Sequence, residues 1–280
     1  MVDGRTLTTS SGAPERHGHT RAGVATPSRW VRIPGGANPA ARLRLFCFPY
    51  AGGGASVFFP WPRALPPEVE VCAVQLPGRE ERLHEPPITR WDELVDQLAG
   101  ALVPWMDRPF AFFGHSLGAS VAFELAQRLR RDRRRGPVHL FASGRAAPHL
   151  PPSMAPVHHL PHEEFVHELR RLAGTPDEVL EKADLMEILI PLLRADFQLA
   201  ETYTFQGDEP LAIPISAYGG VEDERVRPAD VEGWRQHATG AFRRVMFPAG
   251  HFFVNEHRPF VLAELGRELR ATLGRLGAHG

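Results

Sequence analysis

A serine between two glycines is the first residue of the chain whose surroundings suggest catalysis. The segment Gly114-His115-Ser116-Leu117-Gly118 has the pattern G-x-S-x-G. The apolar run 110–113 precedes it, and helical spacing of apolar residues begins at Leu117. A strand, a sharp turn and a helix in this order lift a serine to the edge of a sheet, where it can act as a nucleophile. The alternative is a turn whose serine only caps the helix.

His251 is the candidate base for this serine, because a serine hydroxyl is a poor nucleophile until a base takes its proton. It follows the predicted last strand, 242–247, and a loop at the carboxyl end of that strand can reach Ser116. Two of the other histidines are excluded by position. His257 lies too close to the final helix, and His115 adjoins the serine, so its side chain is expected to point elsewhere.

An acid is expected between the serine and the histidine, after the predicted strand 213–218. Asp223 lies in the acidic turn that follows this strand, and it can orient the imidazole and stabilise its charged form. Glu222 is the rival, and a solvated acidic turn without a catalytic role is the third interpretation. Asp208 precedes the strand and is expected at the opposite edge of the sheet.

Two backbone amides are candidates for the oxyanion hole. The amide of Leu117 starts the helix after the serine, and the amide of Ala51, or that of Tyr50, lies in the glycine-rich turn after the first predicted strand. A phosphate-binding loop is the alternative, but this turn lacks the G-x-G-x-x-G spacing and a partner acid. The single lysine, Lys182, follows Glu181, which excludes a Walker A motif.

Alternating strands and helices predict a parallel sheet covered on both faces. Strands are predicted at 43–48, 69–74, 110–113, 138–142, 213–218 and 242–247, and helices at 91–106, 117–129, 230–237 and 259–276. Residues 150–210 show only helical patterns and are predicted to form an insertion over the carboxyl edge of the sheet. Residues 1–28 have no apolar periodicity and are predicted to be a flexible tail before one domain at 29–280.

The composition of the 280 residues is that of a globular protein, with 43% hydrophobic and 23% charged residues. The net charge of −1 gives no basic field for nucleic acid. Cys47 and Cys72 lie in predicted strands, so we expect buried, reduced thiols. No apolar signal core or 20-residue apolar span occurs, which favours a cytoplasmic protein without a membrane anchor.

Several short segments occur together in an order known from one family. They are Phe48-Pro49-Tyr50-Ala51-Gly52-Gly53, Gln75-Leu76-Pro77-Gly78-Arg79, Gly114-His115-Ser116-Leu117-Gly118-Ala119, Ser143-Gly144-Arg145-Ala146-Ala147-Pro148, Glu201-Thr202-Tyr203 and Gly250-His251-Phe252-Phe253. From residue 30 to 276 the chain resembles the type II thioesterases, the stand-alone editing enzymes of polyketide and non-ribosomal peptide assembly lines. The spacing of Ser116, Asp223 and His251 is typical of that family. One departure, Asp223-Glu224 where the family commonly has Asp-Pro, leaves Glu222 open as the acid.

The resemblance implies an α/β-hydrolase fold with a mostly parallel central sheet and a helical lid at about 150–210. It also implies hydrolysis of acyl groups from the phosphopantetheine arm of acyl or peptidyl carrier proteins, without a metal or an organic cofactor. We expect a monomer. The alternatives are a carboxylesterase acting on small esters, a terminal thioesterase that cyclises a product, and a binding module on a hydrolase scaffold.

Two further features have both a functional and a structural interpretation. Phe58, Phe59 and Tyr203 are candidates to line the acyl chamber, and plain core packing is the alternative. The run of arginines at 128–135, interrupted by Asp132, could attract an acidic carrier protein. A solvated helix end, favoured by the helix dipole, explains the same run.

Overall fold

The computed structural model describes Met1 and residues 29–172, 174 and 177–278, and within them one seven-stranded sheet organises the chain. The tail predicted at 1–28 lies outside the described residues, apart from Met1. The strands are β1 (Val31–Arg32), β2 (Leu43–Phe48), β3 (Val69–Val74), β4 (Phe110–His115), β5 (Leu140–Ser143), β6 (Ile215–Gly220) and β7 (Phe242–Phe247). Their order is β1-β3-β2-β4-β5-β6-β7, and only β1 is antiparallel to its neighbour among these strands. The prediction of a mostly parallel sheet is confirmed.

Helices cover the sheet on both faces. They are α1 (Trp91–Leu102), α2 (Leu117–Arg131), α3 (His162–Arg171), α4 (Asp177–Leu180), α5 (Ala183–Thr202), α6 (Pro228–Glu232), α7 (Phe253–Glu256) and α8 (Arg258–Ala278). Apolar residues of α1 and α2 pack on one face of the sheet, and those of α8 pack on the other. This division explains why strand residues alternate between the two cores: Phe46 of β2 belongs to the first cluster, and Leu45 belongs to the second.

The central strands are mostly apolar on both sides, because both of their faces are buried. Every residue of β2, β3, β4 and β6 is buried. Cys47 and Cys72 are among them and form no disulfide, which confirms the prediction of buried, reduced thiols. The edge strand β1 was not predicted, because two residues are too short to show a periodicity.

The register of the strands aligns their carboxyl ends along one edge of the sheet. Phe48 pairs with Gly114, His115 with Ser143, and Gly220 with Phe247. The loops that follow β2, β4, β5, β6 and β7 therefore emerge side by side. These loops and the start of α2 contain all the residues that the sequence proposes for the nucleophile, acid, base and oxyanion hole.

The helices α3, α4 and α5 lie between β5 and β6 in the chain, within the insertion predicted at about 150–210. They have a small apolar cluster of their own, made by Val157, Phe165, Leu169, Leu180, Met186, Ile190 and Leu193. We refer to residues 150–210 as the lid segment. None of the helices in the described part of the chain is long and apolar enough to cross a bilayer.

Candidate active site

Ser116 lies at a sharp turn between β4 and α2. Its φ of 54° and ψ of −117° are rare for a residue with a side chain, and its amide donates to the carbonyl of Ser143 at 2.8 Å. The two flanking glycines are required by space. A Cβ on Gly114 would lie 2.0 Å from the carbonyl oxygen of Gly118, and one on Gly118 would lie 2.1 Å from that of Phe48. The turn therefore holds the serine at the carboxyl edge, as the predicted nucleophile elbow requires.

Three side chains from three loops form a continuous hydrogen-bonded chain at this edge. Ser116 Oγ lies 3.0 Å from Nε2 of His251, and Nδ1 of the same ring lies 2.7 Å from Oδ2 of Asp223. The other carboxylate oxygen of Asp223 accepts hydrogen bonds from the amides of Arg225 and Val226. The arrangement matches the geometry in which an imidazole takes the proton of a serine while a carboxylate fixes its tautomer.

The surroundings of His251 favour its neutral form. The side chains of His251 and Asp223 are 8% and 0% exposed. Burial lowers the pKa of His251, and the charge and hydrogen bond of Asp223 partly oppose this effect. The nearby guanidinium groups of Arg225 and Arg145 lower the pKa of His251 further. A neutral imidazole beside the serine hydroxyl at neutral pH is the state that a general base needs.

The structure separates Asp223 from the other acids considered. Asp223 is buried against His251, whereas its neighbour Glu222 is exposed. Asp208 forms ion pairs with Arg130 and Arg131 at the carboxyl end of α2, which is the end away from Ser116. The geometry thus brings Asp223 to the histidine and leaves the other two acids elsewhere.

Of the two proposed oxyanion donors, Leu117 follows the serine in the chain, and Ala51 lines the same cavity as the serine. Leu117 is the first residue of α2, and the first amides of a helix have no partner within the helix. Ala51 belongs to residues 50–54, which we call the glycine loop, and its amide donates to no other described residue. Tyr50, the alternative donor, lines the same cavity and accepts a hydrogen bond on its hydroxyl from Asn255.

A cavity of about 170 Å³ opens beside Ser116. Loops after β2, β5, β6 and β7 form one side, and the lid segment contributes Leu169, Leu193, Phe197, Ala200, Glu201 and Tyr203. A dry cavity of roughly 150 Å³ holds a benzene molecule. The space next to the serine thus fits a short acyl group.

The three aromatic residues predicted to line the acyl chamber have different positions. Tyr203 lines the cavity, and its hydroxyl donates to Glu124 at 2.7 Å. Phe58 does not line it: it is completely buried in the core beneath, edge-on to Trp61, so for this residue the prediction was wrong. Phe59 is also absent from the cavity wall and is 49% exposed on the surface. From two adjacent phenylalanines after a glycine turn, the sequence cannot show which ring faces the cavity, the core or the solvent.

Two arginines that the sequence analysis did not assign also line the cavity. Arg145, after β5, donates to the carbonyl of Ala200 at 2.8 Å, and Arg225, after β6, donates to that of Leu172. Both carbonyls lie at the ends of lid helices, where cations are favourable. Neither arginine forms an ion pair with a described residue, and burial lowers the pKa of both. The sequence feature that could have identified Arg145 is the segment Ser143-Gly144-Arg145, one of those on which the family resemblance depends.

The arginine run at 128–135 lies at the carboxyl end of α2, about 20 Å from Ser116 along the helix axis. Arg128 pairs with Asp96 and Asp132, and Arg131 pairs with Asp208. These pairs neutralise much of the positive charge. The solvated helix end explains the run better than a carrier docking site does.

The thioesterase domain family matches residues 43–269, which is most of the chain. The chain belongs to the thioesterase family. It is a thioester hydrolase of the α/β-hydrolase fold, as its strand order and its structural relatives show. In the described part of this enzyme, no group of three or more His, Cys, Asp or Glu residues could hold a metal ion.

Two curated relatives are similar to this thioesterase over most of their own length. The gramicidin S biosynthesis protein GrsT of Aneurinibacillus migulanus is 44% identical over 250 residues, covering 89% of this chain and 97% of that protein. The thioesterase PikA5 of Streptomyces venezuelae is 39% identical and covers 84% of each chain. The resemblance to the type II thioesterases is confirmed.

Solved structures agree with this assignment. The type II thioesterase BorB from the borrelidin biosynthetic cluster has a TM-score of 0.78 and 36% identity, covering 88% of this chain and 98% of that one. ClbQ from the colibactin pathway has a TM-score of 0.79 and 30% identity, covering 86% and 100% of the two chains. The thioesterase is therefore similar to these proteins in both sequence and architecture.

Proposed function

We propose that this thioesterase hydrolyses acyl thioesters with Ser116 as the nucleophile, His251 as the general base and Asp223 as the group that orients the base. The observation that carries the proposal is the chain of hydrogen bonds from Ser116 Oγ through His251 to Asp223, with distances of 3.0 and 2.7 Å. A thioester carbonyl suits this machinery, because its oxygen becomes an anion when the serine attacks.

The reaction proceeds in two halves. In the first, His251 takes the proton of Ser116 as Oγ bonds to the acyl carbon, and the amides of Ala51 and Leu117 stabilise the oxyanion. The C–S bond then breaks, and His251 returns the proton to the leaving thiol. In the second half, His251 activates a water molecule that attacks the acyl-serine ester, which releases the free acid and restores the hydroxyl.

The substrate we propose is a short acyl group on the phosphopantetheine arm of an acyl or peptidyl carrier protein. The names of the relatives support it: GrsT is a gramicidin S biosynthesis protein, PikA5 is a thioesterase, and BorB is a type II thioesterase from the borrelidin biosynthetic cluster. The cavity of about 170 Å³ beside Ser116 has room for a short acyl group. The role is editing, the removal of stalled or misprimed acyl groups. The proposal includes a cytoplasmic monomer that needs no metal or organic cofactor.

Single-turnover hydrolysis tests the proposal. A short acyl group is presented on a holo carrier protein, on a pantetheine thioester and on the matching oxygen ester. The wild-type enzyme is expected to clear the two thioesters in preference to the ester, and Ser116→Ala is expected to lose at least about 10³-fold in rate. Ser120→Ala, which removes a buried hydroxyl from the same helix four residues later, is the matched control.

Each result has a defined meaning. Retention of the wild-type rate by Ser116→Ala would refute the proposed mechanism. Rapid cleavage of the oxygen ester with no cleavage of either thioester would refute the proposed substrate and favour the carboxylesterase alternative. A similar loss in Ser120→Ala would indicate damage to the helix and not the removal of a nucleophile.

A further inference from the structure

A buried aspartate on the lid segment lies outside the catalytic triad but contacts the glycine loop. Asp196, on α5, is 1% exposed. Its Oδ2 accepts a hydrogen bond from the amide of Gly52 at 2.7 Å and a second from Nη1 of Arg79 at 2.9 Å. Its Oδ1 accepts from Nη2 of Arg79 at 2.8 Å. The carboxylate thus joins a lid helix to the loop that carries Ala51.

Arg79 contacts the same loop from the other side. Its side chain is 4% exposed, and Nη1 also donates to the carbonyl oxygen of Gly53 at 3.0 Å. Its Nε donates to the carbonyl oxygen of Pro77. The ion pair therefore holds an N–H group of the glycine loop at Gly52 and a C=O group at Gly53, on either side of one peptide unit.

The glycine loop cannot hold its conformation through a side chain of its own at this point. Gly52 has a φ of +77°, and a Cβ there would lie 2.7 Å from Cδ2 of Leu193. Leu193 and Asp196 are three residues apart on α5, so they present one face of the helix to the loop. An apolar contact and a charged hydrogen bond from the same helix thereby define where the loop lies.

We propose that Asp196 is a positioning residue that, together with Arg79, holds the glycine loop so that the Ala51 amide faces the developing oxyanion. The inference rests on the serine mechanism proposed above. A buried ion pair is weak evidence for stability in itself, because desolvation offsets much of the attraction. A displacement of about 1 Å in catalytic geometry can nevertheless cost about 10²-fold in rate.

The pair also connects the lid to catalysis. Because Asp196 belongs to α5, a lid helix that moved away would remove the acceptor of the Gly52 amide. The oxyanion hole is then complete only while α5 lies against the glycine loop. Substrate turnover and the position of the lid are coupled through one carboxylate.

Substitutions at Asp196 test this role with two measurements on the full-length enzyme. The first is kcat and KM for a short acyl-pantetheine thioester. The second is the rate at which a fluorophosphonate labels Ser116, since the phosphoryl oxygen enters the oxyanion hole during that reaction. We expect Asp196→Asn to lower both kcat and the labelling rate about 10-fold and Asp196→Ala about 100-fold, with KM changed less than 2-fold. The asparagine keeps an acceptor for Gly52, which the alanine lacks.

A double variant keeps the test informative if the single variants fold poorly. Arg79→Met with Asp196→Leu leaves no unpaired buried charge and is expected to fold. It still removes the acceptor of the Gly52 amide, so we expect the same 100-fold loss in labelling. The controls are Glu70→Gln and Arg44→Met with Glu70→Leu, which alter another buried ion pair, in β2 and β3, away from the glycine loop. We expect these controls to change thermal stability but to keep kcat.

The outcomes separate this inference from the proposed function. Wild-type labelling rates in folded Asp196→Ala or in the double variant would overturn the positioning role, as would a change in KM alone. An equal loss of kcat in the Glu70 controls would overturn it too, because the effect would then follow from stability. If the wild-type enzyme labels rapidly but hydrolyses no thioester, the substrate assignment fails, and the labelling rates of the variants still decide the role of Asp196.

Discussion

Two backbone amides fix the orientation of the Asp223 carboxylate towards the histidine. The amides of Arg225 and Val226 donate to Oδ1, which leaves Oδ2 for Nδ1 of His251. Glu222, one residue earlier, points to solvent. The sequence could place both acids in the right turn, but chain spacing cannot tell which of two adjacent side chains faces inward. The backbone hydrogen bonds make that choice.

Substitution of the two acids tests this difference. We expect Asp223→Asn to lower kcat about 10³- to 10⁴-fold with little change in KM, because an amide no longer stabilises the charged imidazole or selects its tautomer. Glu222→Gln, the matched control on an exposed side chain, is expected to keep kcat within about 2-fold. Steady-state kinetics on an acyl-pantetheine thioester measures both. A large loss in Glu222→Gln, or none in Asp223→Asn, would contradict the assignment.

The close crossing of β2 and α2 shapes the serine turn. The start of α2 passes so near the end of β2 that a Cβ on Gly118 would lie 2.1 Å from the carbonyl oxygen of Phe48. The contact is with backbone, which cannot rotate away. Gly100, in α1, is different, because a Cβ there would meet no atom within 4 Å.

Alanine at these two glycines is expected to have opposite effects on stability. Gly118→Ala should lower the free energy of unfolding by at least about 2 kcal/mol, because the added methyl group forces β2 and α2 apart. Gly100→Ala should raise it by about 0.5–1 kcal/mol, because alanine favours a helix interior. Urea unfolding followed by circular dichroism measures both. Equal stabilities for Gly118→Ala and the wild type would mean that the crossing is looser than the structure indicates.

Helices and strands were predictable wherever their burial makes apolar residues continuous or regularly spaced along the sequence. The bounds of β2 and β3 agree with the prediction residue for residue, because all of their residues are buried and mostly apolar. The bounds of β7 agree as well, although only Phe247 of that strand is buried. The strand β1 and the position of Phe58 were not predictable in this way. The first has too few residues for a period. The second depends on packing against Trp61, three residues later, and against Phe113 in the distant strand β4. The contact of Asp196 with Gly52 likewise joins distant parts of the chain.

Across the whole molecule, burial keeps several histidines neutral. It lowers the pKa of His139 to about 3 and that of His237 to about 4, and it lowers the pKa of His115 and His251 as well. In the unfolded chain a histidine has a pKa of about 6.5. Below that pH the unfolded chain binds more protons than the folded enzyme, so these groups reduce stability as the pH falls. Burial raises the pKa values of Glu124 and Glu268. Near their own titration range, these two groups therefore increase stability as the pH falls.

Substitution of His139 allows the contribution of a single buried histidine to the pH dependence of stability to be measured. Its ring bonds to Ser216 and Thr272, stacks on Phe141 and lies 3.8 Å from Glu268. Between pH 6 and pH 5 its folded form stays neutral while its unfolded form is mostly charged, which costs about 1 kcal/mol of stability over that interval. In His139→Gln this cost is absent. The free energy of unfolding should therefore fall by about 1 kcal/mol less between pH 6 and pH 5 than in the wild type.

Urea unfolding at a series of pH values, with His84→Gln as the control on an exposed ring, separates this effect from a general loss of stability. Loss of the hydrogen bonds and the stacking of His139 lowers stability by a similar amount at every pH, whereas loss of its titration changes the slope. A His139→Gln curve parallel to the wild-type curve would show that the folded enzyme protonates this ring as readily as the unfolded chain does. A changed slope in His84→Gln would show that the pH dependence arises outside the buried histidines.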